Sequence, residues 1–404
     1  MSLPFSRRRF LQHSAALAAA SSALETTAGY AANDTLAIAC IGTGGRCQAL
    51  MQRLAKIPNV RIVAVCDVWD QALAAGARLA DRQAIRETDY RRLLERSDID
   101  AVVIGSPDHW HVPMTVDACG AGKDVYVEKP LTHSIEEGER VIEAQNRHRR
   151  IVQVGTQQRS MPHLIEAREI IRSGQLGTIH KVRMTWNRNH QRWNRPSYGI
   201  DPNSVRWKQF LGNAPDQPFD EYRFRNWRWF WDFGGGIFTD LMVHWIDTAY
   251  WMLGMSEPAS AASIGDHFAT EGLWETPDTV QTLLSYPREK LQVHFEGTFV
   301  NHHERAMIEL MGTEATIYCD RGRYEIHPQR GSQVARRDRI EGKEERGSDF
   351  FELVDGELYH LSDWIRAIRS RENPSCPAEE GVRSAAAAHL ANQSLRTGEI
   401  ARPT

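Results

Sequence analysis

Short apolar runs alternate with helix-like stretches over the first third of the chain. A continuous apolar run predicts a buried strand, and apolar positions three and four residues apart predict a helix. The predicted strands cover residues 35–41, 60–66, 101–104, 124–127 and 151–154, and the predicted helices cover 48–57, 90–95 and 113–119. Strands that alternate with helices indicate an α/β fold with a doubly wound parallel sheet.

The pattern changes after residue 155. Alternating or continuous apolar positions recur at residues 180–186, 279–286, 291–300 and 306–318, and the helical period returns at 359–371 and 384–395. This arrangement predicts an α+β region with a large, mostly antiparallel open sheet and C-terminal helices. We therefore predict a first domain over residues 33–155 and a second domain over residues 156–404.

Two stretches of the second domain show neither the alternation typical of strands nor the apolar spacing typical of helices. Residues 187–233 are rich in Asn, Arg, Trp and Pro. We interpret them as a long insertion that lines a cleft, with a subunit contact as the alternative. Residues 336–346 mix both signs of charge, which predicts a solvated, mobile loop.

Residues 1–32 have the composition of a targeting segment. Ser6-Arg7-Arg8-Arg9-Phe10-Leu11 precedes a short apolar stretch at 15–20 and small residues at 28–32. This order is typical of a twin-arginine export signal, and a disordered basic tail is the alternative. Because the apolar stretch is too short to cross a bilayer, we expect no membrane span and a periplasmic or secreted protein.

Composition narrows the classes of partner. The 49 basic residues are balanced by 52 acidic ones, which argues against a nucleic-acid partner. The six cysteines form no C-x-x-C pair, so we expect small apolar core residues rather than disulfides or metal ligands. Several of the 12 tryptophans lie beside arginines between residues 186 and 231, which suits stacking on sugar rings, although core packing also explains them.

A glycine turn follows the first predicted strand. The sequence Gly42-Thr43-Gly44-Gly45-Arg46-Cys47 leads directly into a predicted helix. Such a turn brings backbone amides and the positive end of a helix to a pyrophosphate, as in Rossmann dinucleotide sites. Cys47 departs from the fingerprint, because a glycine usually stands at that place.

Asp67 follows the second predicted strand, 20 residues after Cys47. A carboxylate at this place can accept hydrogen bonds from a ribose diol and repels a 2′-phosphate. Since residues 68–75 contain no Lys or Arg, NAD is favoured over NADP. An ordinary turn aspartate at the strand end is the alternative interpretation.

Polar clusters follow the later strands, where a doubly wound sheet carries its functional residues. They are Ser106-Pro107-Asp108-His109-Trp110-His111, Glu128-Lys129-Pro130 and Gly155-Thr156-Gln157-Gln158-Arg159. Each cluster on its own is also consistent with an ordinary polar loop.

The aromatic run 224–233 leads into three glycines and an apolar helix. Asp240 and His244 lie four residues apart, and Asp247 follows three further on, so helical spacing places all three on one face. Thr239 or Asp240 is a candidate cap. A core helix with satisfied polar groups is the alternative, and a metal site from these three residues is a weaker one.

These motifs together resemble the Gfo/Idh/MocA family of oxidoreductases, over the chain from about Thr35 to its end. The resemblance implies that Lys129 of Glu-Lys-Pro is the active-site lysine, that His244 and Asp240 join it in catalysis, and that the Pro-x-His-x-His loop borders the cofactor. The predicted cofactor contacts are Gly42, Thr43, Gly44, Gly45, Arg46, Asp67, Ser106, Pro107, His109, His111, Glu128, Lys129 and Gln157. The predicted substrate contacts are Lys129, Arg159, Trp231, Asp240 and His244.

The reaction that the resemblance implies is hydride transfer from a sugar, glycoside or polyol hydroxyl to tightly bound NAD. His244 would take the hydroxyl proton and Lys129 would hold the oxygen, while Asp240 would orient the substrate or His244. A redox-neutral NAD-dependent glycosidase or sugar lyase, and a non-catalytic sugar-binding protein, remain alternatives. We also expect a homo-oligomer formed through the open sheet, and no resident metal; the sugar and the oxidised carbon stay open.

Overall fold

The chain folds around two β-sheets with helices on their faces. The structure is a computed structural model that describes residues 35–189, 194–342, 345–347 and 355–403. The predicted export signal lies outside these ranges. Among the described helices, none is long and apolar enough to cross a membrane.

The first sheet is parallel throughout and confirms the predicted Rossmann arrangement. Its strand order is β3-β2-β1-β4-β5-β6. The strands are β1 (Leu36–Ile41), β2 (Val60–Cys66), β3 (Ile85–Glu87), β4 (Ala101–Ile104), β5 (Asp124–Val127) and β6 (Val152–Val154). The helices between and after them are α1 (Gly45–Leu54), α2 (Asp70–Ala77), α3 (Tyr90–Leu94), α4 (His111–Gly120), α5 (Gly138–His148) and α6 (Pro162–Arg172). The strand order reverses between β1 and β4, which is where such sheets bind ligands.

The second sheet is mostly antiparallel, also as predicted. Its order is β14-β13-β12-β11-β7-β10-β9-β8, and the pair of β10 with β7 is parallel. The strands are β7 (Ile179–Asn187), β8 (Ser260–Asp266), β9 (Thr279–Tyr286), β10 (Leu291–Thr298), β11 (Ala306–Gly312), β12 (Ala315–Cys319), β13 (Arg323–Pro328) and β14 (Arg337–Ile340). One face packs on α6 and on the helix that carries His244.

Two predicted segments differ from the structure. The run 306–318 forms two antiparallel strands, β11 and β12, rather than one. Gly312 ends β11, and a side chain there would collide with the Leu176 carbonyl oxygen. The charged stretch 336–346 was predicted to be a loop, but it contains the edge strand β14, paired with β13. Alternating charges suit an edge strand, since they discourage pairing with another sheet.

The last two helices cover both sheets. Helix α10 (Gly356–Ser370) packs Leu361, Trp364 and Ile365 into the core beneath β1 and β2. Helix α11 (Ala378–Thr397) contributes Ala387, Ala388 and Ala391 to the core of the second sheet and Ala378 to a core of the first sheet. The C-terminal end of the chain therefore packs on both sheets. The domain boundary at residue 155 remains a prediction.

The insertion between β7 and the three glycines folds into short helices around an aromatic core. They include α7 (Trp207–Leu211) and α8 (Glu221–Arg225). Phe210 lies at the centre of this core, and its ring centroid is 4.9 Å from that of Phe224 and 5.1 Å from that of Phe233. Residues 190–193 of the insertion lie outside the described ranges.

The helix that carries Asp240 and His244 begins earlier than expected. It starts at Gly236, makes a π-helical turn at Phe238–Met242 and continues as α9 (Val243–Leu253). Thr239 and Asp240 therefore lie inside the helix, and the prediction that either caps it is wrong. A π-helical turn changes the direction in which following side chains point, and such turns are frequent at functional sites.

Candidate active site

The glycine turn follows β1 and ends at the start of α1. Gly42 has φ +75°, and a side chain there would lie 2.6 Å from the backbone nitrogen of Ser106. Only glycine accommodates both constraints. A side chain at Gly44 or Gly45 would meet open space, so the turn leaves room where a pyrophosphate would approach the helix N-terminus.

Cys47 is accommodated by a second glycine. Its side chain is fully buried, and a Cβ at Gly105, after β4, would lie 2.8 Å from the Cβ of Cys47. The close approach that the fingerprint normally obtains from its third glycine is therefore supplied from the neighbouring strand. This departure from the pattern does not obstruct the turn.

Asp67 lies at the end of β2, beside the turn. Its Oδ1 accepts a hydrogen bond from the backbone nitrogen of Trp69 (2.9 Å), and burial raises its pKa to about 6. The buried Thr43 hydroxyl donates to the Ala72 carbonyl (2.9 Å) and approaches Asp67 Oδ2 (3.5 Å). Thr43 thus holds the turn through its side chain, while Asp67 borders the cavity.

A cavity of about 640 Å³ extends along the turn; we call it the cofactor cavity. The first sheet supplies one side of it, including Asp67, and the insertion supplies the other through Lys208, Phe210 and Arg225. This volume is typical of small-molecule and cofactor sites. The sequence interpretation of the insertion as cleft-lining agrees with this placement.

Lys129 and Asp240 form a pair across the two sheets. Lys129 Nζ donates to Asp240 Oδ1 (2.8 Å) and to the Asp240 carbonyl oxygen (2.7 Å). Arg228 Nε lies 3.3 Å from the same Oδ1. Burial alone would raise the pKa of Asp240, but Lys129 and Arg228 hold it below its usual range. Asp240 is therefore an anion that fixes the position of the Lys129 ammonium.

His244 lies in the same region as Lys129 and has no anionic partner among the described residues. Its Nδ1 is buried, and no described residue offers that atom a hydrogen bond. Burial, together with the charges of Lys129 and Arg321, lowers its pKa well below the usual range. Since no hydrogen bond joins it to Asp240 within the described chain, Asp240 acts on Lys129 rather than on His244.

A second set of charges connects the glycine turn with distant segments. Arg46 Nε donates to Glu128 Oε1 (2.9 Å), and its Nη1 pairs with Glu357 of α10. Gln157 Nε2 lies 3.3 Å from the same Glu128 oxygen. Glu128 and Glu357 therefore position Arg46, and Gln157 contacts Glu128.

The histidines of the Pro-x-His-x-His loop have different surroundings. His111 lies between the carbonyl oxygens of Pro130 (2.6 Å) and Ser106 (2.9 Å), so it ties this loop to the segment that carries Lys129. His109 contacts the Phe210 carbonyl (2.8 Å) and the ring of Phe233, away from the cavity linings. Burial lowers the pKa of both histidines to about 4, while the carbonyl oxygens that face their rings act to raise it.

Ser106 and Pro107 line the cofactor cavity. Two predicted substrate contacts, Arg159 and Trp231, are neither in that lining nor in the lining of the cavity that contains His244. Arg159 pairs with the fully buried Asp247 (2.7 Å), so neither faces the His244 region. Trp231 donates its indole N–H to the Glu275 carbonyl (3.1 Å) in the loop before β9. Asp240 and His244 line one cavity, as their helical spacing predicted. The prediction that Asp247 shares their face of the helix is wrong.

The described residues contain no cluster of three His, Cys, Asp or Glu side chains suited to a metal.

A second cavity, of about 360 Å³, adjoins the first; we call it the substrate cavity. Lys129, Asp240 and His244 line it, and Arg46, Gly105, Ser106, Trp227 and Arg228 line both cavities. The sequence interpretation missed several further lining residues, namely Asp108, Trp186, Arg188, Trp229, Arg321 and Glu357. The Trp-Arg content of 186–231 signalled some of them, whereas nothing local marked Arg321 or Glu357.

Family models match both sheets. Residues 36–156 match an oxidoreductase family with an NAD-binding Rossmann fold, and residues 164–325 match the Gfo/Idh/MocA C-terminal domain. The chain belongs to the Gfo/Idh/MocA family. This confirms the resemblance, and it identifies the protein as an NAD-binding oxidoreductase.

Individual relatives agree with this assignment. The uncharacterized oxidoreductase YrbE of Bacillus subtilis is 24% identical over 89% of this chain and 94% of its own. A glycosyl hydrolase family 109 protein of Saccharopolyspora erythraea is 30% identical over 36% of this chain and 38% of its own. A solved levoglucosan dehydrogenase in complex with NADH and levoglucosan superposes with a TM-score of 0.71 at 19% identity, covering 91% and 99% of the two chains, which shows a shared fold.

Proposed function

We propose that this oxidoreductase removes hydride from a CH–OH group of a sugar, glycoside or polyol. The observation that carries the proposal is the location of Lys129 and His244 in one cavity that adjoins the glycine turn. Oxidation of an alcohol needs a base for the hydroxyl proton and a cation near the oxygen, and these two residues supply them. Levoglucosan, named for the solved neighbour, supports a carbohydrate substrate.

Each side chain has a distinct task in this proposal. Bound NAD supplies the hydride acceptor. The glycine turn would hold its pyrophosphate and Asp67 its ribose, preferring NAD to NADP. Lys129, fixed by Asp240, donates a hydrogen bond to the substrate oxygen, and neutral His244 accepts the hydroxyl proton.

The direct test uses purified protein with its nucleotide. Sugars, glycosides and polyols would be screened for a change in nicotinamide absorbance, with and without added NAD. The proposal predicts that at least one class reduces the nucleotide and that Lys129→Met abolishes the reduction. A nucleotide-loaded protein that oxidises no member of the panel would contradict it.

We also propose that the nucleotide stays bound through turnover. The insertion contacts the segment after Asp67: Trp69 pairs with Val205, and the Arg206 backbone nitrogen donates to the Val68 carbonyl (2.8 Å). These contacts support a cofactor cavity that is covered on its ribose side. Export through the twin-arginine route would then carry the nucleotide out with the folded protein, and the bound cofactor would be regenerated in the site.

Cell fractionation and nucleotide release test this second proposal together. Mature protein from the periplasm is expected to carry stoichiometric nucleotide after extensive dialysis, and Arg7→Lys with Arg8→Lys is expected to leave it in the cytoplasm. Periplasmic protein without nucleotide that turns over only with exchanging NAD would exclude retention. Cytoplasmic location of the unmodified protein would exclude export.

The glycosyl hydrolase family 109 relative favours one alternative, a redox-neutral cleavage. In that cycle bound NAD would oxidise a ring hydroxyl, which would acidify the proton on the neighbouring carbon. Removal of that proton would expel the glycosidic leaving group as its alcohol, water would add to the resulting double bond, and the hydride would return to the carbonyl carbon. The same Lys129 and His244 serve it. Release of a chromogenic leaving group without net NADH accumulation distinguishes it from net oxidation.

We propose a homo-oligomer formed through the outer face of the second sheet. Leu283 of β9 is 57% exposed and Ile264 of β8 is 73% exposed, which supports an apolar contact surface. Light scattering is expected to give a multiple of the 45.9 kDa chain, and Leu283→Glu is expected to reduce it. A monomeric unmodified protein would contradict this.

A further inference from the structure

Two arginines and a histidine surround one tryptophan at the wall of the substrate cavity. The guanidinium carbon of Arg321 lies 4.7 Å from the Trp186 ring centroid, and that of Arg188 lies 5.5 Å from it. The His244 ring centroid lies 5.1 Å from the same indole. Trp186 is 1% exposed, so it is a fixed platform that holds both cations near the proposed base.

Three of the four carboxylates that line this cavity are paired with Arg46, Lys129 or Arg228, and burial raises the pKa of the fourth, Asp108, well above its usual range. Glu128 and Glu357 pair with Arg46, and Asp240 pairs with Lys129 and Arg228. Lys129 and Arg228 thus share one carboxylate. The side of the cavity around Asp240 and His244 is consequently rich in positive charge.

The electrostatics of neighbouring groups agree with this distribution. Besides burial, the cations Lys129, Arg321, Arg46 and Arg188 all act to lower the pKa of His244. Lys129, Arg228 and Arg188 likewise act to lower the pKa of Asp240. A positive potential at the reacting hydroxyl favours an anionic ligand over a neutral one of equal shape.

Arg188 and Arg321 have the chemistry to bind an oxyanion. A guanidinium has five N–H donors in a planar fork, so an arginine that already makes other contacts can still donate to a carboxylate or a phosphate. Arg321 is only 8% exposed, and a desolvated arginine binds an oxyanion more strongly than a solvated one. In the proposed reaction Lys129 serves the reacting oxygen, and these two arginines line the same cavity.

We propose, building on the carbohydrate oxidation proposed above, that the natural substrate is an acidic sugar whose carboxylate or phosphate is bound by Arg188 and Arg321 beside Trp186. The cavity volume of about 360 Å³ suits a single sugar residue with one substituent. Arg188 and Arg321 are specificity-determining residues in this scheme.

Matched ligands test the proposal on the unmodified protein with its nucleotide bound. Glucuronic and galacturonic acids would be compared with glucose, with galactose and with their own methyl esters, and glucose 6-phosphate would represent the phosphates. We expect kcat/KM for one charged class to exceed that of its uncharged partners by about 10- to 100-fold. Uronates and the phosphate distinguish the two kinds of oxyanion.

Variants locate the preference. Arg188→Gln and Arg321→Gln should each reduce the charged-to-uncharged ratio by about tenfold, and Arg188→Lys should restore part of it because it keeps the charge without the fork. Arg168→Gln is the matched control, since Arg168 lies 4.7 Å over the ring of Trp251, away from both cavity linings. If Arg321→Gln does not fold, the half-buried Arg188 and the ligand comparison still decide the question.

The outcomes separate this inference from the proposed function. If neutral sugars are oxidised at least as well as acids and esters, the acidic-sugar inference is wrong and the carbohydrate oxidation stands. If no sugar reduces the nucleotide, the oxidation fails, and thermal-shift binding still tests the inference. A charged ligand that raises Tm in the unmodified protein but not in Arg188→Gln supports it, and equal shifts from charged and uncharged ligands contradict it.

Discussion

The cofactor cavity and the substrate cavity are assembled from the chain in different ways. On the sheet side, the cofactor cavity is formed by loops that directly follow β1, β2 and β4, so neighbouring strands bring together residues such as Gly42, Asp67 and Ser106. The substrate cavity takes side chains from both sheets, the insertion, the π-helical turn and α10. Cofactor binding is thus encoded largely in local motifs, while substrate recognition depends on distant segments that meet only in the folded protein.

Charge is also held differently where the cavities meet and within the substrate cavity. Where they meet, Arg46 lines both cavities and pairs with two carboxylates of the substrate cavity lining, Glu128 and Glu357. At the substrate side one carboxylate, Asp240, faces two cations, Lys129 and Arg228. A substitution in the substrate cavity should therefore alter turnover and spare NAD binding, and one in the cofactor cavity should do the reverse. The following experiments test that separation.

The largest effect is expected at Lys129 and His244. Lys129→Met and His244→Ala should each lower kcat by about 100- to 10,000-fold, while NAD binding stays near normal. Because both act on one substrate oxygen, the double variant should be little worse than either single one. Steady-state kinetics and nucleotide titration measure these outcomes.

The neighbouring surface residues Lys181 and His180 of β7 supply matched controls. Both are exposed, and Lys181→Met and His180→Ala should leave kcat unchanged. Near-normal turnover in Lys129→Met or His244→Ala would remove that residue from the proposed chemistry. A parallel loss of NAD binding would show that the two cavities are not separable.

A smaller effect, on nucleotide binding in the cofactor cavity, is expected from Asp67→Ala. NAD affinity should fall by about 10- to 100-fold and discrimination against NADP should relax, because the diol contact and the repulsion of a 2′-phosphate are lost together. Titration with both nucleotides measures this. Asp81→Ala, which removes a surface partner of Arg61, is the control, and an unchanged preference in Asp67→Ala would exclude Asp67 from the ribose site.

The local encoding of the cofactor cavity explains what the sequence could predict. Strands β2, β4 and β5 have the bounds that their apolar runs predicted, and the polar residues after them lie at one edge of the sheet. Lys129, Asp240 and His244 meet as the resemblance implied. Cys47 departed from the expected glycine pattern, and the residue that accommodates it, Gly105, follows a different strand, β4. The local sequence around Cys47 therefore did not show that the departure is tolerated.

The features of the site that the sequence did not predict depend on contacts between segments that lie far apart in the chain. Helical spacing placed Asp247 beside His244, but Arg159 and Ser384 bind it on the other side of the helix. Glu357 lies 311 residues from Arg46 in sequence. Such pairings are decided by the packing of both sheets, so Arg321 and Glu357 carried no signal in the sequence.

Glu357→Gln tests whether that distant residue supports the cofactor cavity. The change weakens the hold on Arg46, which keeps its Glu128 partner, so NAD affinity should fall by about 3- to 10-fold with little change in kcat. Glu372→Gln, on an exposed partner of Arg366 beyond the end of α10, is the control. Unchanged NAD affinity would show that Glu128 alone positions Arg46.

The smallest expected effect is a pH dependence of cofactor preference. Burial raises the pKa of Asp67 to about 6, so the carboxylate loses its charge as the pH falls through about 6. Its repulsion of a 2′-phosphate then disappears, and the preference for NAD over NADP should decrease by about fivefold between pH 7.5 and pH 5, both values being about one unit or more from that pKa.

The 2′-phosphate itself gains a proton near pH 6, which would produce part of the same trend. Asp67→Asn separates the two contributions, because it keeps the shape of the side chain without its titration. Nucleotide titrations over this range should show a steeper change in the unmodified protein than in Asp67→Asn, and equal slopes would mean that Asp67 does not face the 2′-position.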